Sequence, residues 1–123
     1  MVVKVVDASA LAAIFFSEPG GEMVNARLKH ARLAAPALIH FEMANICLKK
    51  IRQRPELRDV LLAGFEMSQL VDIENFTVDQ RAVLDLAEST GLTAYDASYL
   101  WLARRLDAEL VSLDKRLLEA VYF

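Results

Sequence analysis

The run Val2-Val3-Lys4-Val5-Val6, closed by Asp7, constrains the fold most strongly. β-branched side chains favour extended backbone. A short apolar run without polar alternation reads as a strand buried on both faces, as in a parallel sheet covered by helices. The rest of the chain fits that reading. Ser9 to Phe16 is apolar and helix-compatible, and Ser17-Glu18-Pro19-Gly20-Gly21 breaks the chain. Glu22 to Arg32 has helical period, and Leu33 to Ala37 is a weak candidate strand. Leu38 to Arg52 is strongly helical, with Phe41, Ala44, Leu48 and Ile51 as its apolar face and Glu42, Asn45, Lys49 and Arg52 opposite.

Pro55 suits the first turn of a helix running to about Met67, and Leu70 to Ile73 reads as a strand. Thr77 to Gln80 matches a capping box for a helix ending near Thr90, with Gly91 just past its end. Thr93 starts another helix, to about Arg105. Glu109 to Ser112 reads as a strand, Asp114 to Leu118 as a short helical turn, and Ala120 to Phe123 as a final strand. Strands that alternate with helices, without hairpin signals, predict a three-layer α/β/α sandwich around a mainly parallel sheet of four or five short strands.

Composition narrows the class. The chain has 123 residues, and at about 100–200 residues per domain it is expected to form a single domain, 1–123. One Cys excludes a disulfide framework, and Cys47, His30 and His40 do not make a structural zinc site. The longest uncharged run, Ala8 to Ser17, has ten residues, whereas a membrane span needs about twenty. Lys4 and Asp7 interrupt any signal-peptide core, so no membrane partner and a cytoplasmic location are expected. The net charge of −3 argues against holding nucleic acid by bulk positive charge, though not against meeting a phosphodiester through a bound cation.

Four acids stand out. Asp7 and Asp114 follow strands, Asp96 begins a helix and Glu42 lies near the start of another. Each has an ordinary explanation as a cap, a dipole partner or a solvated residue. In this fold class, strand ends and helix starts share one rim, where sites form. Two charges about 5 Å apart repel by roughly 3 kcal/mol at an effective dielectric near 20. Converging acids therefore protonate, separate or recruit a hard cation, which points to metal-assisted phosphodiester hydrolysis.

The segments Val5-Val6-Asp7-Ala8-Ser9-Ala10-Leu11, Phe41 to Asn45, Leu92 to Leu100 and Leu110 to Asp114 resemble the motif series of PIN-domain ribonucleases, nearest the VapC-type toxins. The resemblance covers essentially the whole chain, and Thr93 to Leu100 is its most specific block. It implies that Asp7, Glu42, Asp96 and Asp114 form an acidic site for Mg²⁺, with Mn²⁺ as the alternative. It also places Ser112 where the family often has Thr, and Ser9 and Asn45 at polar positions near the rim. Asp7, Asp96 and Asp114 are assigned to the metal; Glu42 is assigned to a second metal or to orienting the attacking water. An RNA substrate, a homodimer and a cognate antitoxin are implied by the resemblance alone.

Weaker signals remain. Lys49, Lys50, Arg52, Arg54 and Arg58 form one basic group, and Arg104, Arg105, Lys115 and Arg116 another. Such groups are commonly solvated faces; Lys49 and Arg52, on the stripe with Glu42, are the preferred RNA-phosphate contacts. Tyr95, Tyr99 and Trp101 read as core, with Tyr95 left open for base stacking. Ala10 to Phe16 is core or an interface. An aspartyl phosphatase is disfavoured because Asp7-Ala8-Ser9 lacks a second Asp, and a phospho-acceptor receiver because Val6 and Ala8 flank Asp7. A non-catalytic RNA- or protein-binding module, or a PIN nuclease of RNA processing without an antitoxin, remain as alternatives.

Overall fold

A computed structural model describes residues 1–122. Its centre is a parallel sheet of β1 (Val3–Val6), β2 (Arg32–Pro36), β3 (Ile73–Phe76) and β4 (Glu109–Val111), in the order β3-β2-β1-β4. Val5 lies between Ala34 and Leu110 in register, and Ala34 pairs onward with Glu74. Val5, Val6, Ala34, Ala35, Leu110 and Val111 are all buried. Burying a Val or Leu side chain contributes about 1.5–3 kcal/mol, so these unalternating runs supply much of the sheet's stability. Lys4 interrupts the apolar run but finds polar partners: its Nζ donates to Arg27 O at 2.5 Å and reaches Glu109 Oε2 at 3.5 Å, beside the Arg27–Glu109 pair.

One layer holds α1 (Ala8–Phe15), α2 (Gly21–Leu28), α3 (Ile39–Gln53) and α4 (Arg58–Ser68), which pack around α1. A short 3-10 turn, Pro55–Leu57, leads into α4. The other layer holds α5 (Gln80–Thr90), α6 (Ala94–Arg105) and α7 (Lys115–Val121), with α6 laid over β1, β2 and β4. Close packing on α1 depends on glycine at two points: a Cβ on Gly21 would overlap the carbonyl oxygen of Ala13, and one on Gly64 that of Phe15. The chain winds outward from β1 to β3 through the first layer, then returns to β4 through the second. The carboxyl ends of β1 and β4 thus form the switch point, where open parallel sheets place their sites.

Several local expectations are corrected by tertiary context. Arg32 belongs to β2 and not to the preceding helix, which stops at Leu28. The third strand begins at Ile73, where pairing with Leu33 begins, and Leu70 is exposed. Asp79, not Thr77, caps α5, accepting from Ala82 N at 3.1 Å. On α3 the core face is Ile39, Met43 and Cys47; Phe41, Ala44 and Leu48 face outward, Phe41 at 80% exposure. Ala120 and Val121 continue α7 instead of forming a strand, and Phe123 lies outside the described residues. Ala10 to Ala13 are core, not interface, with Ile14 to Phe16 packed against them. Among the described residues, no helix is long and apolar enough to cross a membrane.

Candidate active site

Asp7 leaves β1 and caps α1 in the same step. Its Oδ1 accepts from Ala10 N at 3.0 Å and from Ser9 Oγ at 2.8 Å, while Oδ2 accepts from Ser112 Oγ at 2.6 Å. Only 4% of the residue is exposed. Burial pushes this carboxyl above the ordinary carboxylate range; the hydrogen bonds from Ser112, Ala10 and Ser9 resist, and the charge of Asp114 adds to the rise.

Asp114 mirrors it at the end of β4. It caps α7 through Oδ1, which accepts from Arg116 N at 2.9 Å and Leu117 N at 3.3 Å. The two junctions are laced together. Ser112 Oγ accepts from Asp114 N at 2.9 Å, and Ser9 Oγ accepts from Leu113 N at 3.0 Å. The two hydroxyls lie 3.4 Å apart. Ser9 and Ser112 thus both donate to Asp7, and Ser112 also accepts from the backbone of Asp114.

Asp96 enters from α6. Thr93 caps that helix, its Oγ1 accepting from Asp96 N at 3.1 Å, which sets the acid in the first turn. Burial raises its pKa, and so does the charge of Asp114; Thr93 and the Arg116 guanidinium work in the opposite direction. Arg116 is anchored in turn by Nη2 donating to Gly91 O at 2.8 Å, where Gly91 ends α5 in the left-handed conformation (φ +76°). Glu42 enters from the first turn of α3, its Oε1 accepting from Tyr99 Oη at 2.5 Å. Burial raises the Glu42 pKa; the Tyr99 bond lowers it, and the charges of Asp96 and Asp7 raise it again.

Charge–charge repulsion links the four acids in a ring around the switch point: Asp7 with Asp114, Asp114 with Asp96, Asp96 with Glu42, and Glu42 with Asp7. None of them is ion-paired among the described residues, in contrast to Glu18, Glu74 and Glu109 elsewhere on the surface. Also among the described residues, no three acidic, His or Cys side chains are gathered into a finished metal cage. The donor set nevertheless fits a hard divalent cation. It offers only oxygen ligands and a negative charge that Arg116, acting on Asp96, offsets only in part, and Mg²⁺ takes one or two carboxylates directly while keeping several waters.

The other expected site residues, Asn45, Lys49 and Arg52, make no side-chain hydrogen bond or ion pair to these acids among the described residues. Asn45 is exposed one turn beyond Glu42, and Lys49 and Arg52 lie exposed further along α3. Lys50, between them, is committed to Glu18 at 3.2 Å. Tyr95 is exposed, while Tyr99 is 1% exposed and Trp101 half-buried. Sequence reading puts Tyr99 in the core but misses its hydroxyl's partner. The available signal is its position one turn after Asp96, which directs it toward the same rim.

A family model described as PIN domain matches residues 4–123. Ribonuclease VapC3 of Pyrobaculum aerophilum is 30% identical over 120 residues, taking in 94% of this chain and 92% of that protein. The crystal structure of PAE2754 from Pyrobaculum aerophilum aligns with a TM-score of 0.78 at 28% identity, covering 97% of this chain and 84% of that one.

Proposed function

Because the chain belongs to the PIN-domain family, we propose that it is a metal-dependent endoribonuclease that serves as the toxin of a toxin–antitoxin pair. The observation that carries this reading is the convergence of Asp7, Glu42, Asp96 and Asp114 at the switch point, without an ion-paired cation among the described residues. The name of the similar Ribonuclease VapC3 supports the choice of RNA and of the toxin role.

Asp7, Asp96 and Asp114 are the residues assigned to hold Mg²⁺, or Mn²⁺ in its place. A cation bound there supplies charge neutralisation on the scissile phosphodiester and acidifies a bound water. Asp7 is already set to receive it, because Ser9, Ser112 and Ala10 N fix both its oxygens and little reorganisation is left for the moment of binding. Glu42 orients the attacking water and accepts its proton, or ligates a second cation. Lys49 and Arg52 are assigned to RNA phosphates away from the bond that breaks. Exposed Phe41, Val60, Met67 and Leu70 leave apolar surface on and just after α3 and α4, in keeping with a homodimer and an antitoxin partner.

The test is cleavage of a structured RNA pool with Mg²⁺, with Mn²⁺ and with chelator, comparing wild type with Asp96→Asn. Cleavage that needs the metal and disappears in the variant is the expected result. Cleavage that survives the substitution misplaces the site, and a wild type that neither cuts RNA nor binds metal leaves a non-catalytic module.

A further inference from the structure

Tyr99 joins the two helix layers across the rim. It lies on α6 one turn after Asp96, and its hydroxyl donates to Glu42 Oε1, on α3 in the opposite layer, at 2.5 Å. Packing alone does not call for that hydroxyl. The ring is fully enclosed, and a Phe ring would fill the same space without a polar atom to satisfy. Its partner is an acid of the proposed centre, not a backbone carbonyl of the core. A carboxylate held at one oxygen by a rigid donor keeps the lone pairs of its other oxygen in a defined direction. Glu42 needs such a restraint more than Asp7 does. Its side chain is one bond longer, and no other side-chain hydrogen bond fixes it among the described residues.

We propose that Tyr99 is a positioning residue, whose hydroxyl ties up Oε1 of Glu42 so that Oε2 is presented to the cation and its water. This inference rests on the nuclease reading above. In that reading Asp7 is locked by Ser9 of α1 and by Ser112 just past β4, and Glu42 is locked from the opposite layer by Tyr99. The same α6 that supplies Asp96 then also sets the aim of Glu42, so one helix controls two of the four acids.

The test compares Tyr99→Phe with wild type, each also in a Glu42→Gln background. Mn²⁺ affinity is read by electron paramagnetic resonance without RNA, and kcat and KM are read with RNA. Loss of an outer hydrogen-bond partner of a metal site typically lowers affinity or activity about ten- to a hundredfold. We expect a drop of that size in Mn²⁺ affinity and in kcat, with KM for RNA unchanged. In the Glu42→Gln background, Tyr99→Phe should change neither quantity, since residues acting as one unit are non-additive. Unchanged Mn²⁺ affinity and kcat with a lower melting temperature overturn the proposal and make the bond merely structural. An equal effect in both backgrounds also overturns it, because Tyr99 would then act elsewhere.

If Tyr99→Phe fails to fold, the wild type still decides. The NMR signal of the Tyr99 ring carbon bearing the hydroxyl should shift as Mg²⁺ binds, with the midpoint of binding; a signal that stays fixed through saturation overturns the proposal. A wild type that binds no Mn²⁺ and cuts no RNA defeats the nuclease reading, and this inference with it. A wild type that does both while Tyr99→Phe matches it defeats this inference alone.

Discussion

The junctions that close β1 and β4 follow the same local rule and reach different ends. Each runs strand, acidic cap, helix, and each carries a serine two residues from its acid. Asp7, inside the fold, has both oxygens occupied. Asp114, half-buried at the rim, spends Oδ1 on capping and keeps Oδ2 clear of any hydrogen bond among the described residues. A cap therefore explains where both acids stand but not how they differ. The difference comes from tertiary lacing, with Ser112 of one junction donating to the acid of the other. One junction provides a fixed, desolvated carboxylate and the other an open one, a pairing that fits the cation site proposed above.

The largest expected effect removes the charge from either junction. Asp7→Asn and Asp114→Asn should each lower RNA cleavage by more than about a hundredfold, beyond the usual cost of an outer-shell loss. Both retain a side chain that caps well. They should part company in stability. Asp7 is pushed up in pKa mainly by burial, so its ionisation opposes folding; Asp7→Asn should melt higher than wild type at neutral pH without metal. Asp114→Asn should melt close to wild type. Thermal melts in chelator read this directly, and a destabilised Asp7→Asn contradicts the account.

The pH dependence has the same sign. Asp7, Glu42 and Asp96 all carry raised pKa values, so the folded state holds their protons to higher pH than the unfolded chain does. Their contribution to stability is fully present below the ordinary carboxylate range and is lost as pH rises through the raised values. The lowered Glu109 acts the opposite way and only at more acidic pH, because its pKa lies below the ordinary value. The metal-free melting temperature should thus fall as pH rises from the ordinary carboxylate range toward neutrality. Saturating Mg²⁺ should restore it by binding the folded state alone. A metal-free protein whose stability climbs over that window would contradict the assignment.

Ser112 tests the lacing itself. Ser112→Ala removes the donor to Asp7 and the acceptor for Asp114 N, and should lower cleavage about ten- to a hundredfold. Ser112→Thr, which keeps the hydroxyl, should recover most of it. The smallest effects belong to the exposed cations outside the cluster. Lys49→Ala and Arg52→Ala should each weaken RNA binding and reduce the salt slope by about one, with kcat unchanged. An unchanged slope removes them from the RNA path.

The legibility of this chain in sequence divides along the same line between local and tertiary order. The β-branched run into Asp7, Gly91 as a helix stop and Thr93 as a cap are all readable, because each is decided within a few residues. On α3 two apolar stripes share one helix, Phe41-Ala44-Leu48 and Ile39-Met43-Cys47. Periodicity alone does not say which one faces the sheet, and it assigns the outward stripe to the core. Local hydrophobicity places the third strand three residues early, because the strand's start is set by pairing with Leu33. Thr77 and Asp79 both offer a cap within one short window, and the helix takes the later one. The acids are readable as candidates. The bond from Tyr99 to Glu42 is not, since it links residues 57 positions apart through the fold.

The most direct measurement is anomalous X-ray diffraction from crystals of the protein soaked in Mn²⁺. A manganese peak is expected at the carboxyl ends of β1 and β4, contacting carboxylate oxygens of Asp7, Asp96 and Asp114 directly or through water, and absent from crystals of Asp96→Asn. Full occupancy at another acidic patch, or none at the switch point under saturating Mn²⁺, would contradict it.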